Sequence, residues 1–541
     1  MEKQFATIWE SIADSIGDSP AVTQGTVTRT WSEYEQRASR LASALVDAGL
    51  QPQSKVGLYL YNSNEYLEAQ FATFKFRGVP VNVNYRYLDE ELLYLLDNSD
   101  AEALFFHSSL GDRVARVVDR LPKLKLLVEV SDDGEHHVVT AIPYNTLLAD
   151  YDPMPRITRD EDDIYMLYTG GTTGMPKGVM YQMGSLVEGF VNGGLAFIGM
   201  TPPAEISQLG TTVRDAHASG IRPITIPGCP IMHGTGMWIG AMMPQSGGAH
   251  VITLQKRSFD AHEMFQVVQE KKATLAVVVG DSFVKPMIRA LDEATAKGTP
   301  YDASSLKMIA SSGVMWTSEV KEALLDRIEH VVLLDAMGSS EGSMGTSISM
   351  KGLPPKTAKF AVAPTTKVFT DDDREVVPGS GEIGKVAAGG AVPLGYYKDP
   401  EKSSKTFRTI NGVRYSFPGD MATVEADGSL TLLGRGSQVI NSGGEKIFPE
   451  EVEEAVKRVE GVLDCLVVGI DDEKFGQAVT AVASLSPGAK VEEAAIIANV
   501  KTQLAGYKAP KRVVFVTQIP RAPNGKADYK TARDMAIAGL A

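Results

Sequence analysis

The strongest constraint on the fold is a change of hydrophobic period that recurs between residues 30 and 106. "TWSEYEQRASRLASALVDAGL" places Ala38, Leu41, Leu45 and Val46 at helical spacing and ends in an Ala-Gly pair that suits a helix C-terminus. "KVGLYLY" reads as a short buried strand. "EYLEAQFATFKFRGV" predicts a helix ending at Gly78, "VPVNVNY" a strand, and "LDEELLYLLDNSDAEALFF" a helix followed by a strand. "FDAHEMFQVVQEKKATLAVVVG" and "VKEALLDRIEHVVLLDAMG" repeat the unit, the second running into a Gly/Ser loop. Parallel strands need a crossover between them, usually a helix, so this alternation predicts an α/β fold with largely parallel sheets.

From about residue 357 short strand-like pieces alternate with Gly, Pro and Asp turns, which predicts hairpins and a small β region. The texture changes again near Gly434 and Gly436. "FPEEVEEAVKRVEGV" predicts a helix with Pro449 near its first position and acids in its first turn. "LDCLVVGI", "AVTAVASL", "VEEAAIIANVKTQLAGY" and "KRVVFVTQ" follow as strand, strand, helix and strand. The expected organisation is a large N-terminal domain, residues 1–436, and a small α+β C-terminal domain, residues 437–541. A chain of 541 residues is past the size at which one core stops growing.

A net charge of −14 disfavours a nucleic-acid partner, because phosphate backbones attract basic faces. The only cysteines, Cys229 and Cys465, exclude a disulfide framework and most zinc spacings and suit a reducing compartment. The N-terminus lacks a basic region followed by an apolar core, and no uncharged apolar run reaches the ~18 residues of a membrane span. The expectation is a cytoplasmic protein with no transmembrane segment.

"YTGGTTGMPKGVMY", residues 168–181, lies between a strand-like "DIYMLY" and a segment, "YQMGSLVEGFVNGGL", that suits a helix. Gly170, Gly171, Gly174 and Gly178 let backbone N–H groups approach an anion. Thr169, Thr172 and Thr173 add hydroxyl donors and Lys177 a charge. A P-loop requires Lys followed by Ser or Thr, and here Gly178 follows. The dinucleotide fingerprint fails too, since Val439 stands where the last glycine after Gly434 and Gly436 belongs.

"YTGGTTGMPKG" resembles the phosphate loop of the adenylate-forming superfamily (acyl-CoA synthetases, peptide-synthetase adenylating domains and beetle luciferases), with Gly170 where Ser is usual. "MGSSEG" (residues 337–342) resembles that family's Y-G-x-T-E segment. "FPGDMATVEADGSLTLLGR" resembles its T-G-D followed by G-R, and "VINSGGEKIFPEEVEEAV" its hinge-proximal signature. "YKAPKRVVFV" and "IPRAPNGKADYK" resemble its C-terminal signatures. The motifs occur in order over essentially the whole chain.

The resemblance implies two steps. A carboxylate attacks the α-phosphate of ATP, giving acyl-adenylate and pyrophosphate, and the acyl group then passes to the thiol of CoA. It implies that Glu341 holds Mg²⁺, with Thr172 assisting, since a hard cation prefers oxygen. Ser340 keeps a hydroxyl near the α-phosphate, beside Gly338 and Ser339. Met337 replaces the Tyr usual at the adenine. "ASSGV", with Ser312, Gly313 and Val314, packs on adenine and lines the acyl pocket. Asp420 accepts from the ribose hydroxyls with support from Arg435, and Lys526 reaches the α-phosphate and carboxylate oxygens. His233 stands between acyl tunnel and nucleotide, and Gly443, Gly444 and Lys446 approach CoA after a domain rotation. At the hinge Gln438 replaces the usual Asp.

Small residues at Gly234, Thr235, Gly236, Gly313 and Gly338 suggest an open acyl tunnel, with Gly236 and Val314 beside His233 in its wall. The long segment "FIGMTPPAEISQLGTTVRDAHASGIRPITIPGC" reads either as an enlarged pocket wall or as a surface excursion. The loop variant looks like that of bacterial fatty-acid and steroid-side-chain acyl-CoA ligases, so the expected substrate is a medium- to long-chain or bulky hydrophobic carboxylic acid. Transfer to a carrier protein, or nucleotide and acyl binding without turnover, are the alternative readings, and a homodimer is left open.

Overall fold

A computed structural model describes every residue except 134–137, 139, 170–174, 315, 354, 443–444, 473–475, 523–524 and 541, and all side chains but those of residues 437 and 446 besides. The alternation predicted for residues 30–106 builds an all-parallel sheet. Its order is Val79–Asn82, Lys55–Tyr59, Ala101–His107, Leu126–Val130 and Ile142–Pro143. Helix Trp31–Asp47 starts in a capping box between Thr30 and Glu33, and Ala38, Leu41 and Leu45 are fully buried. Val46 is instead exposed: it sits a residue beyond Leu45, about 100° around the helix, off the buried stripe. Helix Asn64–Lys75 stops short of Gly78. Arg77 takes the left-handed position (φ 67°), while Gly78 is small because the Phe76 ring lies where its Cβ would be.

A second sheet of eight strands is parallel through its middle, with strands His250–Thr253, Ile224–Pro227, Leu275–Val278, Met308–Ser312 and Val332–Ser339 side by side. Its edges turn antiparallel, with Gly342–Ser349 on one side and Val27–Thr30 on the other. A seven-stranded antiparallel sheet spans the region expected to form hairpins. The last sheet, from Ile440–Ser442 to Arg512–Phe515, is mixed, with helices Pro449–Lys457 and Glu493–Gln503 against it and its own apolar core. A final helix, Tyr529–Leu540, lies beyond the elements predicted from the sequence and packs on this sheet through Ala532 and Ala536. Both cysteines are free and buried. Among the described residues no helix is long and apolar enough to cross a membrane.

Candidate active site

The sequence places the Gly/Thr loop between a strand and a helix. The structure places it at the tip of a hairpin: Ile164–Thr169 and Lys177–Gln182 pair antiparallel with Thr169 opposite Lys177, and helix Met183–Phe197 begins only afterwards. Gly170, Gly171, Thr172, Thr173 and Gly174 lie outside the described residues. Thr169 is half-buried at the end of the incoming strand. Lys177 opens the outgoing strand and is ion-paired with Asp399, so an anion drawn to this ammonium group would compete with Asp399.

Asn82, at the end of its strand, organises this region. Its Oδ1 accepts from the Tyr168 N–H at 2.7 Å, and its Nδ2 donates to the Tyr168 carbonyl at 2.8 Å and to the Met232 carbonyl at 2.7 Å. One side chain thus ties the strand before the phosphate loop to the residue before His233. Asn62 acts likewise one strand over, donating to Cys229 O at 3.1 Å and accepting from the Ile231 N–H at 2.9 Å. The available signal was a polar residue in an apolar strand, the Asn of "VNVNY".

The expected Gly/Ser loop is a continuation of strand Val332–Ser339, which carries Met337, Gly338 and Ser339 and turns back at once into Gly342–Ser349. A register shift between Met337 and Gly338 bends the strand, as bulges next to functional sites do. Ser340 and Glu341 occupy the turn, so the Glu341 carboxylate projects from a strand tip. Ser339 Oγ accepts from the Glu341 N–H at 3.1 Å, and Tyr181 donates to Ser340 O at 3.0 Å. Tyr396 donates to Glu341 Oε1 at 2.8 Å. Met337 is 5 % exposed and packs with Met344, Phe360 and Val386 in the core of the antiparallel sheet.

Asp420 and Arg435 face each other across two strands, with Arg435 Nε 3.7 Å from Asp420 Oδ1. Burial pushes the Asp420 pKa up; Arg435 opposes this, Glu341 adds to it and Lys526 opposes it. Asp420 Oδ2 is buried with no donor, an arrangement that costs about 1–3 kcal/mol unless a ligand supplies one. Lys526 enters from the C-terminal lobe. Burial lowers its pKa and the Arg435 charge lowers it further, against the pull of Glu341 and Asp420. A Cβ added to Gly313 (φ 91°) would stand 3.6 Å from Thr235 Oγ1 and 3.7 Å from Lys526 Cε. Residues some three hundred apart in sequence therefore converge around one point.

His233 shares it. Burial pushes the imidazole down to about 3, with Lys526 and Arg86 adding to the shift, and its buried Nε2 has no partner. The ring is neutral at physiological pH. The chain then runs into a π-helix, Thr235–Met242, a rare form often found at functional sites. Gly236 does not line a tunnel: a Cβ there would stand 2.4 Å from the Pro230 carbonyl oxygen, so its smallness serves backbone packing. Ser312 is buried and Val314 packs against the core of the eight-stranded sheet. A cavity bounded by Tyr66, Tyr165, Leu167 and Met237 holds about 10 Å³, room for one water. The segment 197–229 lines a cleft away from His233 and the Asp420–Lys526 cluster. Its helix Leu209–Ala218 packs on the first helix, Phe5–Ile16, beside an open polar cleft of about 590 Å³ lined by Asp14, Arg214, His217 and Arg222.

Gln438 closes a single 3₁₀ turn, Gly436–Gln438, between strands Leu430–Arg435 and Ile440–Ser442. Lys446 lies in strand Glu445–Ile447 opposite Asn441, with its side chain outside the description, as are Gly443 and Gly444.

A large α/β lobe, a small α+β lobe and a buried lysine carried from the second into the first define a two-domain enzyme. The family model of the AMP-binding enzyme matches residues 9–397, and that of the AMP-binding enzyme C-terminal domain matches residues 451–526. The chain belongs to this family, which bears out the likeness to adenylate-forming enzymes. It is 40 % identical to a 3-oxocholest-4-en-26-oate–CoA ligase of Rhodococcus rhodochrous, over 99 % of this chain and 96 % of that one. It is also 40 % identical to a medium/long-chain-fatty-acid–CoA/3-oxocholest-4-en-26-oate–CoA ligase of Mycolicibacterium smegmatis, over 99 % and 97 %. ATP-bound MatB of Rhodopseudomonas palustris shares the fold with a TM-score of 0.82 at 23 % identity, over 99 % of both chains.

Proposed function

We propose that the protein is an ATP-dependent, AMP-forming acid–CoA ligase acting on medium- to long-chain fatty acids or the carboxylated side chains of steroids. The observation that carries the chemistry is the convergence of Lys526, Glu341, Asp420 and Arg435 in a buried site with an unpartnered acceptor, Asp420 Oδ2. The substrate class rests on the full-length relatives.

In the first half-reaction a carboxylate oxygen of the acid bonds to the α-phosphorus of ATP and the bond to the bridging oxygen breaks, releasing pyrophosphate. Asp420 takes the ribose hydroxyls, whose protons satisfy Oδ2, and Arg435 holds the Asp420 carboxylate in place. Lys526 sets its charge against the oxygens where negative charge gathers, a stabilisation worth most in a buried site. Neutral His233 stands at the mouth of the acyl site, and its unpartnered Nε2 is available to a polar group of the incoming acid. Among the described residues no group of three or more His, Cys, Asp or Glu is placed to hold a metal ion by itself. The single Glu341 carboxylate fits Mg²⁺, which takes one or two protein carboxylates and completes its shell with phosphate and water. When bound, Mg²⁺ neutralises phosphate charge; Glu341 and Thr172 are the residues assigned to it. Thr169, Thr173, Lys177 and the loop glycines hold the departing phosphates.

In the second half-reaction the sulfur of CoA, its thiol proton lost, bonds to the acyl carbon and the bond to AMP breaks. We assign Gly443, Gly444 and Lys446 to CoA, Gln438 to the hinge, and residue 436 to the end of the N-terminal domain. We assign the reaction to the cytoplasm, a compartment that supplies ATP and CoA and suits the two unpaired cysteines.

The test is pyrophosphate release across acids of differing length and ring content, with CoA or a holo-carrier protein as acceptor. Release requires both ATP and a hydrophobic acid, CoA is the acceptor, and Lys526→Ala lowers the rate about 10²–10³-fold. Full adenylation by Lys526→Ala would overturn the assignment of that lysine.

A further inference from the structure

Tyr396 joins the Glu341 carboxylate to the hairpin that carries the phosphate loop. Its hydroxyl donates to Glu341 Oε1 at 2.8 Å. Its ring carries the Lys177 ammonium 5.7 Å from the centroid, a cation–π distance, and Asp399 pairs with the same ammonium. The backbone around Tyr396 is fixed on both sides. Strand Gly395–Tyr396 pairs with Lys177–Gln182 through Tyr396 and Val179, and the Tyr397 N–H donates to Gly178 O at 2.8 Å. The Tyr396 N–H donates to Ser403 Oγ at 2.8 Å, and the ring packs on Phe407 at 5.2 Å. Asp399 is fixed in turn as the N-cap of helix Pro400–Thr406, accepting from the Lys402 N–H at 2.9 Å. A phenol keeps its proton at neutral pH, so the hydroxyl is a donor to the carboxylate.

We propose that Tyr396 is a positioning residue that orients Glu341 toward a nucleotide-bound divalent cation and couples that carboxylate to the phosphate hairpin through Lys177. The proposal rests on the ligase reading above. A terminal carboxylate torsion is broad and roughly two-fold. A donor held on one oxygen stops that rotation and leaves the other for a cation, which is how partners of metal ligands tune a site. Phosphate that draws Lys177 from Asp399 also moves the charge off the Tyr396 ring, so loop occupancy is felt at Glu341.

The test measures ATP affinity by equilibrium dialysis of the full chain in MgCl₂ and in EDTA. It compares the wild type, Tyr396→Phe, Glu341→Gln and the double variant. Tyr396→Phe is expected to lose about tenfold of the Mg²⁺-dependent gain in affinity while affinity in EDTA stays unchanged. The double variant is expected to be no weaker than Glu341→Gln, since the two residues act as one unit. Equal weakening with and without Mg²⁺, or additive losses in the double variant, would overturn the proposal. Loss of the gain in Glu341→Gln with its full retention in Tyr396→Phe defeats the tyrosine's role alone. Full retention in Glu341→Gln defeats both that role and the metal assignment. Melting curves check each fold. Should Tyr396→Phe melt early, Tyr396→His, which keeps a ring donor, is compared with Tyr396→Leu: a larger gain in the His variant supports the proposal and equal gains overturn it.

Discussion

At the scale of single residues the site is governed by burial acting on charge. Lys526 has two reasons to lose its proton, its own desolvation and the nearby Arg435 charge, and two carboxylates that hold the proton on. The net shift is downward. A lysine whose charge stabilises the adenylation step loses that charge as pH rises through its lowered pKa. The alkaline limb of pyrophosphate release is therefore expected below the ordinary lysine range, and Lys526→Arg, with a group that does not deprotonate, moves the limb upward at a reduced rate. A pH–rate profile that leaves the limb unmoved in Lys526→Arg would show that another group sets it. His233, pushed down to about 3 by burial, is neutral above that value and contributes no limb near the usual histidine pKa. Its ring proton shifts, followed by NMR, are expected to stay flat between pH 5 and 8.

At the scale of elements, functional side chains sit on strand ends and hairpin tips, where a side chain projects but its backbone is held. This explains what was legible in the sequence. Helix and strand periods were, because burying one face imposes them on composition, and so "VGLYLY" and "EEVEEAV" resolve into Lys55–Tyr59 and Pro449–Lys457. Glu341, Asp420, Arg435 and Lys526 stand out in the sequence as members of ordered motifs, and the structure brings them together. The hairpin around the phosphate loop was not: glycines mark a turn but do not say whether the chain returns as a strand or a helix. The packing role of Gly236 was equally hidden, since a glycine facing a cavity and one facing a carbonyl look alike in sequence. The scaffolding by Asn82 was hidden because its partners, Tyr168 and Met232, are distant in the chain. Asn82→Ala leaves a buried N–H and two carbonyls without partners, at about 1–3 kcal/mol each in the limit. The expected result is a lowered melting temperature together with weaker ATP and acid binding, since both loops lose the same anchor. A variant with lowered stability but unchanged KM for both substrates would confine Asn82 to a structural role.

At the scale of the whole molecule the two lobes meet through a few specific contacts, and these hold Lys526 in the site. Lys285 donates to the Leu463 carbonyl at 2.7 Å, Arg458 pairs with Glu319 at 3.1 Å, and Gly525 fits closely against Ser282. One junction contact with a buried carboxyl group is Glu450, on the first turn of helix Pro449–Lys457. Its Oε1 lies 3.4 Å from the Arg435 N–H that donates to it, and its Oε2 is buried without a partner. A Cβ on Gly434 would stand 2.1 Å from that oxygen, so only glycine admits the carboxyl group. Burial pushes Glu450 up to about 8, and the charges of Glu453 and Asp420 add to the shift, while the Arg435 N–H opposes it. A carboxyl group whose folded pKa lies above its unfolded value stabilises the docked lobe fully below the unfolded pKa, near 4.5, and loses that contribution as pH rises through the folded one. Each unit of displacement is worth about 1.4 kcal/mol. Docking is therefore expected to weaken between pH 5 and 9, seen as a falling melting temperature and faster proteolysis near residue 436. Glu450→Gln, which keeps the shape without the charge, flattens that dependence and melts above the wild type at pH 9. A wild type whose melting temperature is level across this range would show that the Glu450 carboxyl group is not held neutral at the junction.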